Sequence, residues 1–254
     1  MISILLSLLL SNLFAQEAKL PDSVFFAGSS MQIIKPSSDY QRRLLDAYKD
    51  NNDKLLEDTI SSFLAENPND LFSLNTLGAH HYRKGAVKLA RLLWNRALKA
   101  HPQSDTVLNN LGVSFHREDE ERATDFYKKA IKANPSNPYA NFNLGSLYVK
   151  YKNFPQAEVA LKLAYKELNT IEAANNYGLA LRGLGKFKDS IKVYERIIRS
   201  NSDQYQALLN YATVLVNAQK KSDKAREVIT RIRMLTDDKQ VLKYVADLEK
   251  RIKD

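Results

Sequence analysis

The chain contains no cysteine, and that absence excludes disulfide frameworks, thiolate metal sites, a cysteine nucleophile and a lipid-modified N-terminal cysteine. Turn residues are scarce as well. Eight glycines and seven prolines in 254 residues are too few for a many-stranded sheet and point to long helices. The histidines are only four, His80, His81, His101 and His116. His80 and His81 are neighbours that point to different sides of a helix, His101 falls in a turn, and none pairs with a carboxylate at a recurring i, i+4 spacing. A glycine-rich phosphate loop and a nucleophile elbow are both missing. The expectation is a protein without catalytic residues, metal ligands or cofactors, and so not an enzyme.

Long apolar runs are missing too, except at the start. Residues 1–15, "MISILLSLLLSNLFA", carry no charge and end on the small Ala15. They resemble a secretory signal peptide cleaved before Gln16, with an apolar centre too short to cross a bilayer comfortably. No later stretch is apolar enough to span a membrane. The expectation is an exported protein with no integral span after cleavage, placed in a bacterial periplasm. Lys and Arg number 38 against 29 Asp and Glu, a formal charge of +9, which favours acidic partners. Basic and aromatic residues do not interleave as a base-stacking surface requires, so nucleic acid is not an expected partner.

What the chain does have is a period. Gly78, Gly112, Gly145 and Gly178 stand 34, 33 and 33 residues apart, Ala212 follows by 34, and Pro68, Pro102 and Pro135 keep the same step. A fixed period of this length is the signature of stacked supersecondary units. With Gly78 at place 8 of its unit, Leu74 takes place 4, Gly85 place 15, Ala90 place 20, Trp94 place 24, Ala97 place 27 and Pro102 place 32. Small residues at places 8 and 20, such as Gly145 and Ala157, let two helices approach closely. The apolar places between them fill the seam.

This pattern resembles the tetratricopeptide repeat, a helix-turn-helix unit. The resemblance implies an all-α fold, an α-solenoid built as a right-handed superhelix. Units are expected at 71–104, 105–137, 138–170, 171–204 and 205–238, with a degenerate tetratricopeptide-like unit at 37–70. Residues 16–36 form an irregular leader, and 239–254 a C-terminal capping helix with Val241, Tyr244, Val245, Leu248 and Ile252 on one face. Three departures stand out: "REDEER" at 117–122 replaces the usual glycine turn in a unit one residue short, the third unit lacks its closing proline, and Ser190 occupies place 20.

The candidate binding residues lie on the first helix of each unit. Place 6 is Asn110, Asn143, Asn176 and Asn210, with Asn75 one place earlier in its unit. Place 6 lies some 200° around the helix from place 8, so these side chains are expected to leave the seam and line a concave groove. A primary amide matches both the N–H and the C=O of an extended peptide. The column resembles the asparagine ladder in the tetratricopeptide domain of O-linked N-acetylglucosamine transferase, which implies main-chain recognition. Arg83, Arg117, Lys150 and Arg182 are a candidate basic flank for an acidic segment. Phe72, Tyr82, Tyr139 and Phe142 are candidate aromatic pockets. The two-carboxylate clamp of chaperone-tail receptors needs an asparagine at place 9, and Ala79 stands there instead.

These features together predict a protein-protein interaction scaffold that holds an extended, acidic peptide or protein tail, and the family resemblance, joined to export, implies a bacterial envelope assembly for secretion, piliation or motility. The alternative is an assembly factor resembling the pilotins that serve secretins. The leader itself, extended and nearly neutral, is a candidate internal pseudo-ligand for the groove.

Overall fold

A computed structural model describes residues 31, 32, 34, 38–200, 205–218 and 222–252. The expected signal at 1–15 and most of the leader lie outside them. Within the described residues are thirteen α-helices and no strand. They run in pairs: α1 (Asp39–Lys49) and α2 (Asp53–Glu66), α3 (Leu71–Arg83) and α4 (Val87–Ala100), α5 (Asp105–Phe115) and α6 (Glu120–Ala133), α7 (Pro138–Lys150) and α8 (Phe154–Leu168), α9 (Ile171–Gly183) and α10 (Phe187–Ser200), and α11 (Tyr205–Asn217) and α12 (Ser222–Leu235). A single helix, α13 (Lys239–Lys250), follows. The fold is an all-α helical repeat of the solenoid class. Its contacts gather into two compact units, residues 29–144 and the chain from Gly145 onward, with the boundary inside α7.

Each pair begins and turns by the same devices. Asp70, Ser104, Asn137 and Thr170 close successive repeats, and each side chain accepts the backbone N–H three residues on, from Ser73, Val107, Ala140 and Ala173. That bond satisfies a donor which the first turn of a helix leaves free. At place 15 the backbone turns left-handed, with positive φ at Asn51, Gly85, Lys152 and Gly185. In each case the next N–H bonds back five residues, Asn52 to Ala47, Ala86 to His81, Asn153 to Tyr148 and Lys186 to Leu181, at 2.8 to 2.9 Å. This is the Schellman closure of a helix C-terminus.

The short second repeat omits the left-handed residue. Glu118 and Asp119 both bond back to the Phe115 carbonyl, and Asp119 then caps α6 by accepting from Arg122 N–H at 3.0 Å. One residue fewer is therefore a different turn. Where the third repeat lacks its proline, Asn169 ends α8 at φ 50° instead.

The small residues at place 8 are places of contact. A Cβ at Gly78 would stand 2.4 Å from the Trp94 ring, at Gly112 2.5 Å from Tyr127, at Gly145 2.6 Å from Leu161 and at Gly178 2.6 Å from Tyr194. The place-24 side chain of the second helix thus fills the space that a Cβ would take, and all four are fully buried. Ser190 at place 20 is accommodated by donating to the Gly178 carbonyl at 2.8 Å, since a buried hydroxyl needs a partner. In the C-terminal unit one continuous core runs from Ala174 to Leu248, and α13 buries Val241, Tyr244, Val245 and Leu248 as its pattern predicts.

Candidate functional site

The asparagine column does not stand open on a surface. Asn75, Asn110, Asn143, Asn176 and Asn210 are all 0% exposed, and each of the last four uses its amide to join its first helix to the one before it. Asn110 Nδ2 donates to Asn75 Oδ1 at 2.8 Å, Asn143 Nδ2 to Asn109 Oδ1 at 2.8 Å, Asn176 Nδ2 to Ser146 Oγ at 2.7 Å and Asn210 Nδ2 to Asn175 Oδ1 at 2.8 Å. The acceptor sits at place 5, where Asn75, Asn109 and Asn175 align. In α7 place 5 is Phe142, and the acceptor shifts one helical turn to Ser146 at place 9. Asn75 is therefore no displaced member of the place-6 column but the first of a second, accepting column that periodicity alone did not separate.

In the N-terminal unit the amides form a continuous chain, because Asn109 Nδ2 also donates to Asn110 Oδ1 at 3.3 Å. One described residue of the leader joins it. The Gln32 N–H donates to Asn110 Oδ1 at 2.8 Å, and the Gln32 carbonyl accepts from Asn110 Nδ2 at 2.7 Å and from Asn75 Nδ2 at 3.4 Å. The side-chain Oε1 of Gln32 accepts from Asn137 Nδ2 at 2.8 Å, and Asn137 Nδ2 also donates to Asp105 Oδ2 at 2.7 Å. Asn110 thus uses both amide hydrogens and both oxygen lone pairs, the full capacity of the group. Met31 packs against the cluster of Leu74, Ala90, Trp94, Val107 and Leu111, and Ile34 against that of Leu44, Leu56, Ile60 and Phe72. In the sequence Asn137 stands between Ser136 and Pro138, a pattern that marks a helix start and no ligand contact. No pattern in the leader marked Gln32.

The other candidates divide. Arg182 is not on a basic flank: it is 6% exposed, and its charge acts on the buried Tyr194. Arg83 is exposed but committed to α1, its Nη1 donating to the Tyr48 carbonyl at 2.9 Å and its guanidinium 4.1 Å from the Tyr48 ring centre. Arg117 and Lys150 are exposed, Lys150 lying 5.9 Å from the Tyr151 ring centre. Phe72 and Phe142 are core residues, not pocket walls, because their helix positions fall on the packed face. Tyr82 is half-buried, its ring 6.0 Å from that of Trp94 and its hydroxyl 3.4 Å from the Val113 carbonyl; Tyr139 is half-buried.

A histidine cluster was also missed. Buried His80 lies between two carboxylates of α2 spaced i, i+4, with Nε2 3.1 Å from Glu57 Oε1 and Nδ1 3.6 Å from Asp53 Oδ1, while Lys84 pairs with Asp53. Glu57, His80 and His81 each offer a ligand atom within 4.8 Å of the others. Burial, and next the charge of His80, push the His81 imidazole below the usual histidine range, with Glu57 opposing.

Comparison with known proteins agrees with this architecture. Tetratricopeptide repeat profiles match residues 75–138 and 177–238, and another matches 126–159, together more than half of the chain. The chain belongs to the tetratricopeptide repeat family. It is 27% identical over 145 residues to an uncharacterized lipoprotein of Treponema pallidum, covering 56% of this chain and 71% of that protein. It is 29% identical over 112 residues to RNA polymerase II-associated protein 3 of Mus musculus, covering 43% of this chain but spanning only 17% of that protein's length. Among solved structures it is similar to YrrB, a tetratricopeptide repeat protein described with an unusual peptide-binding site (TM-score 0.63, 17% identity, 74% of this chain and 97% of that one). It is also similar to pilF of Pseudomonas aeruginosa (TM-score 0.59, 22% identity, 70% and 82%). Among the described residues no helix is long and apolar enough to cross a membrane.

Proposed function

We propose that the protein is a protein-interaction scaffold in which Asn75 and Asn110 hold a peptide main chain and Asn137 reads a side chain of the same segment. One observation carries this reading: the single amide of Asn110 meets both the N–H and the C=O of one extended residue, Gln32, at 2.8 and 2.7 Å. That pairing is indifferent to the side chain held, which is how main-chain recognition differs from pocket recognition. The amide chain from Asn143 through Asn109 to Asn75 holds Asn110 in the required orientation before any ligand arrives. Membership of a repeat family whose relatives include a peptide-binding protein supports the same reading. Of the two exposed basic candidates in this unit, Arg83 is engaged by Tyr48, and an acidic ligand would place its charge at Arg117.

The test is to compare the full chain with its Asn110→Ala and Asn137→Ala variants by affinity capture from cells, with thermal melting measured alongside. Partner capture lost by both variants, with Asn137→Ala destabilised by no more than the roughly 1 kcal/mol that loss of a helix cap costs, supports the reading. Capture intact in a strongly destabilised Asn110→Ala protein shows that the amides serve only the fold.

We place the scaffold in a bacterial cell-envelope assembly, on the support of the signal-like residues 1–15 and the lipoprotein relative. Removing residues 1–15 then retains the protein in the cytoplasm, and an unchanged periplasmic fraction refutes this. The pilotin-like alternative predicts a protein that pellets with outer membranes only when a secretin is present.

A further inference from the structure

We propose that Met31, Gln32 and Ile34 are a resident ligand of the asparagine site. The groove is thus occupied by its own chain until an extended segment of the pattern apolar-Gln-any-apolar displaces it. This rests on the peptide-binding reading above and adds to it a specificity and a control. Gln32 makes all the contacts expected of a bound peptide residue: its main chain is held at both ends by Asn110 and its carbonyl by Asn75, and its side-chain oxygen is read by Asn137 at 2.8 Å. Asn137 is buried and already fixed by capping α7 and by Asp105, so its Nδ2 is a rigid donor that selects an acceptor-bearing side chain. Met31 on one side and Ile34 on the other are partly buried against two separate apolar clusters, which gives the register a sense at both flanks.

The same contacts make the segment displaceable. Its described residues hold the site through the hydrogen bonds of Gln32 and the half-buried side chains of Met31 and Ile34, and they belong to no helix or strand. It is connected to α1, which starts at Asp39, by a linker of four residues. A short tether gives an effective concentration on the order of 1 mM. For a free peptide with an intrinsic Kd on the order of 10 μM, that occupancy weakens the apparent affinity about 100-fold.

The probe is a fluorescein-labelled peptide of residues 29–36, SSMQIIKP, titrated by anisotropy against the full-length protein. Gln32→Pro deletes the N–H that Asn110 accepts, and Met31→Asp removes one apolar anchor. Both leave Asn75, Asn110 and Asn137 unchanged. Each variant is expected to bind the probe roughly 10- to 100-fold more tightly than the wild type, and adding Asn110→Ala is expected to remove the gain. Equal affinity for wild type and both variants, still lost with Asn110→Ala, refutes the resident ligand while leaving the peptide site standing. No binding to any of them refutes both. A wild-type dimer that Gln32→Pro converts to a monomer shows a second copy as the occupant and overturns the intramolecular form. A further readout does not need the destabilised segment. In this cysteine-free chain, Met31→Cys should react slowly with a thiol reagent and faster when excess unlabelled peptide is added; a rate independent of peptide counts against displacement.

Discussion

Replacing Gly178 by alanine sets two effects of opposite sign against each other. In the interior of a helix alanine is favoured over glycine by about 1 kcal/mol, so local propensity predicts a more stable protein. Packing predicts the reverse. The new Cβ would stand 2.6 Å from Cζ and 2.9 Å from the hydroxyl of Tyr194, about 0.8 Å inside an ordinary van der Waals contact. The ring cannot swing aside, because it is fully buried and its hydroxyl donates to the Asn175 carbonyl at 3.1 Å. Overpacking of this kind costs about 1–3 kcal/mol, and a lost hydrogen bond about 1 kcal/mol more. After subtracting the propensity gain, Gly178→Ala should destabilise by about 1–3 kcal/mol in urea unfolding followed by circular dichroism. In a Tyr194→Ala background the ring is gone and the same change should stabilise, by about 1 kcal/mol. If Gly178→Ala leaves the wild-type midpoint unchanged or raises it, the glycine ladder is not the contact ladder described above.

Lys152 holds the left-handed place-15 conformation at φ 57° where two other repeats use glycine. Its strain of about 1–2 kcal/mol exceeds the entropic cost of glycine, so Lys152→Gly should stabilise by about 0.5–1 kcal/mol in the same assay. Gly185→Ala should cost about 1 kcal/mol. Burial raises the phenols of Tyr194 and Tyr211 above the ordinary value of 10, opposed at Tyr194 by the Arg182 charge and reinforced at Tyr211 by the hydrogen bond to Glu195. A raised folded-state value means that their contribution to stability is complete below pH 10 and is lost as pH rises above it. Spectrophotometric titration should therefore show tyrosines that ionise only as the helical signal is lost. On the acid side, hydrogen bonds from Lys84 and Arg233 hold Asp53 and Glu249 below their ordinary 3.8 and 4.5. Their contribution is present above those values and is lost as pH falls below them.

The repeat was legible because each small place-8 residue and each large place-24 residue must recur wherever two helices touch, and 34 residues is the length of the unit that recurs. The buried face of α13 follows from the same kind of local pattern, whereas the left-handed turn at Asn51 and the cap at Asp70 emerged only with the structure. The amides resisted the same reading. Places 5 and 6 differ by only 100° on a helix, and which of them donates and which accepts depends on where the neighbouring first helix lies. Asn75 consequently read as a misplaced member of the donor column. Arg182 read as a surface cation, although it lies beside Tyr194.

The period, the helix count per unit and the family are determined by residues acting within a single repeat, and so the sequence by itself determines them. The contacts of Gln32 are decided only by tertiary structure. Gln32 lies 78 residues from Asn110 and 105 from Asn137, and no local pattern encodes a contact between an irregular leader and helices that distant. Burial then makes that contact specific, because an amide removed from water must find every partner it lost, and here the Gln32 backbone and the Asn75 and Asn109 side chains provide them.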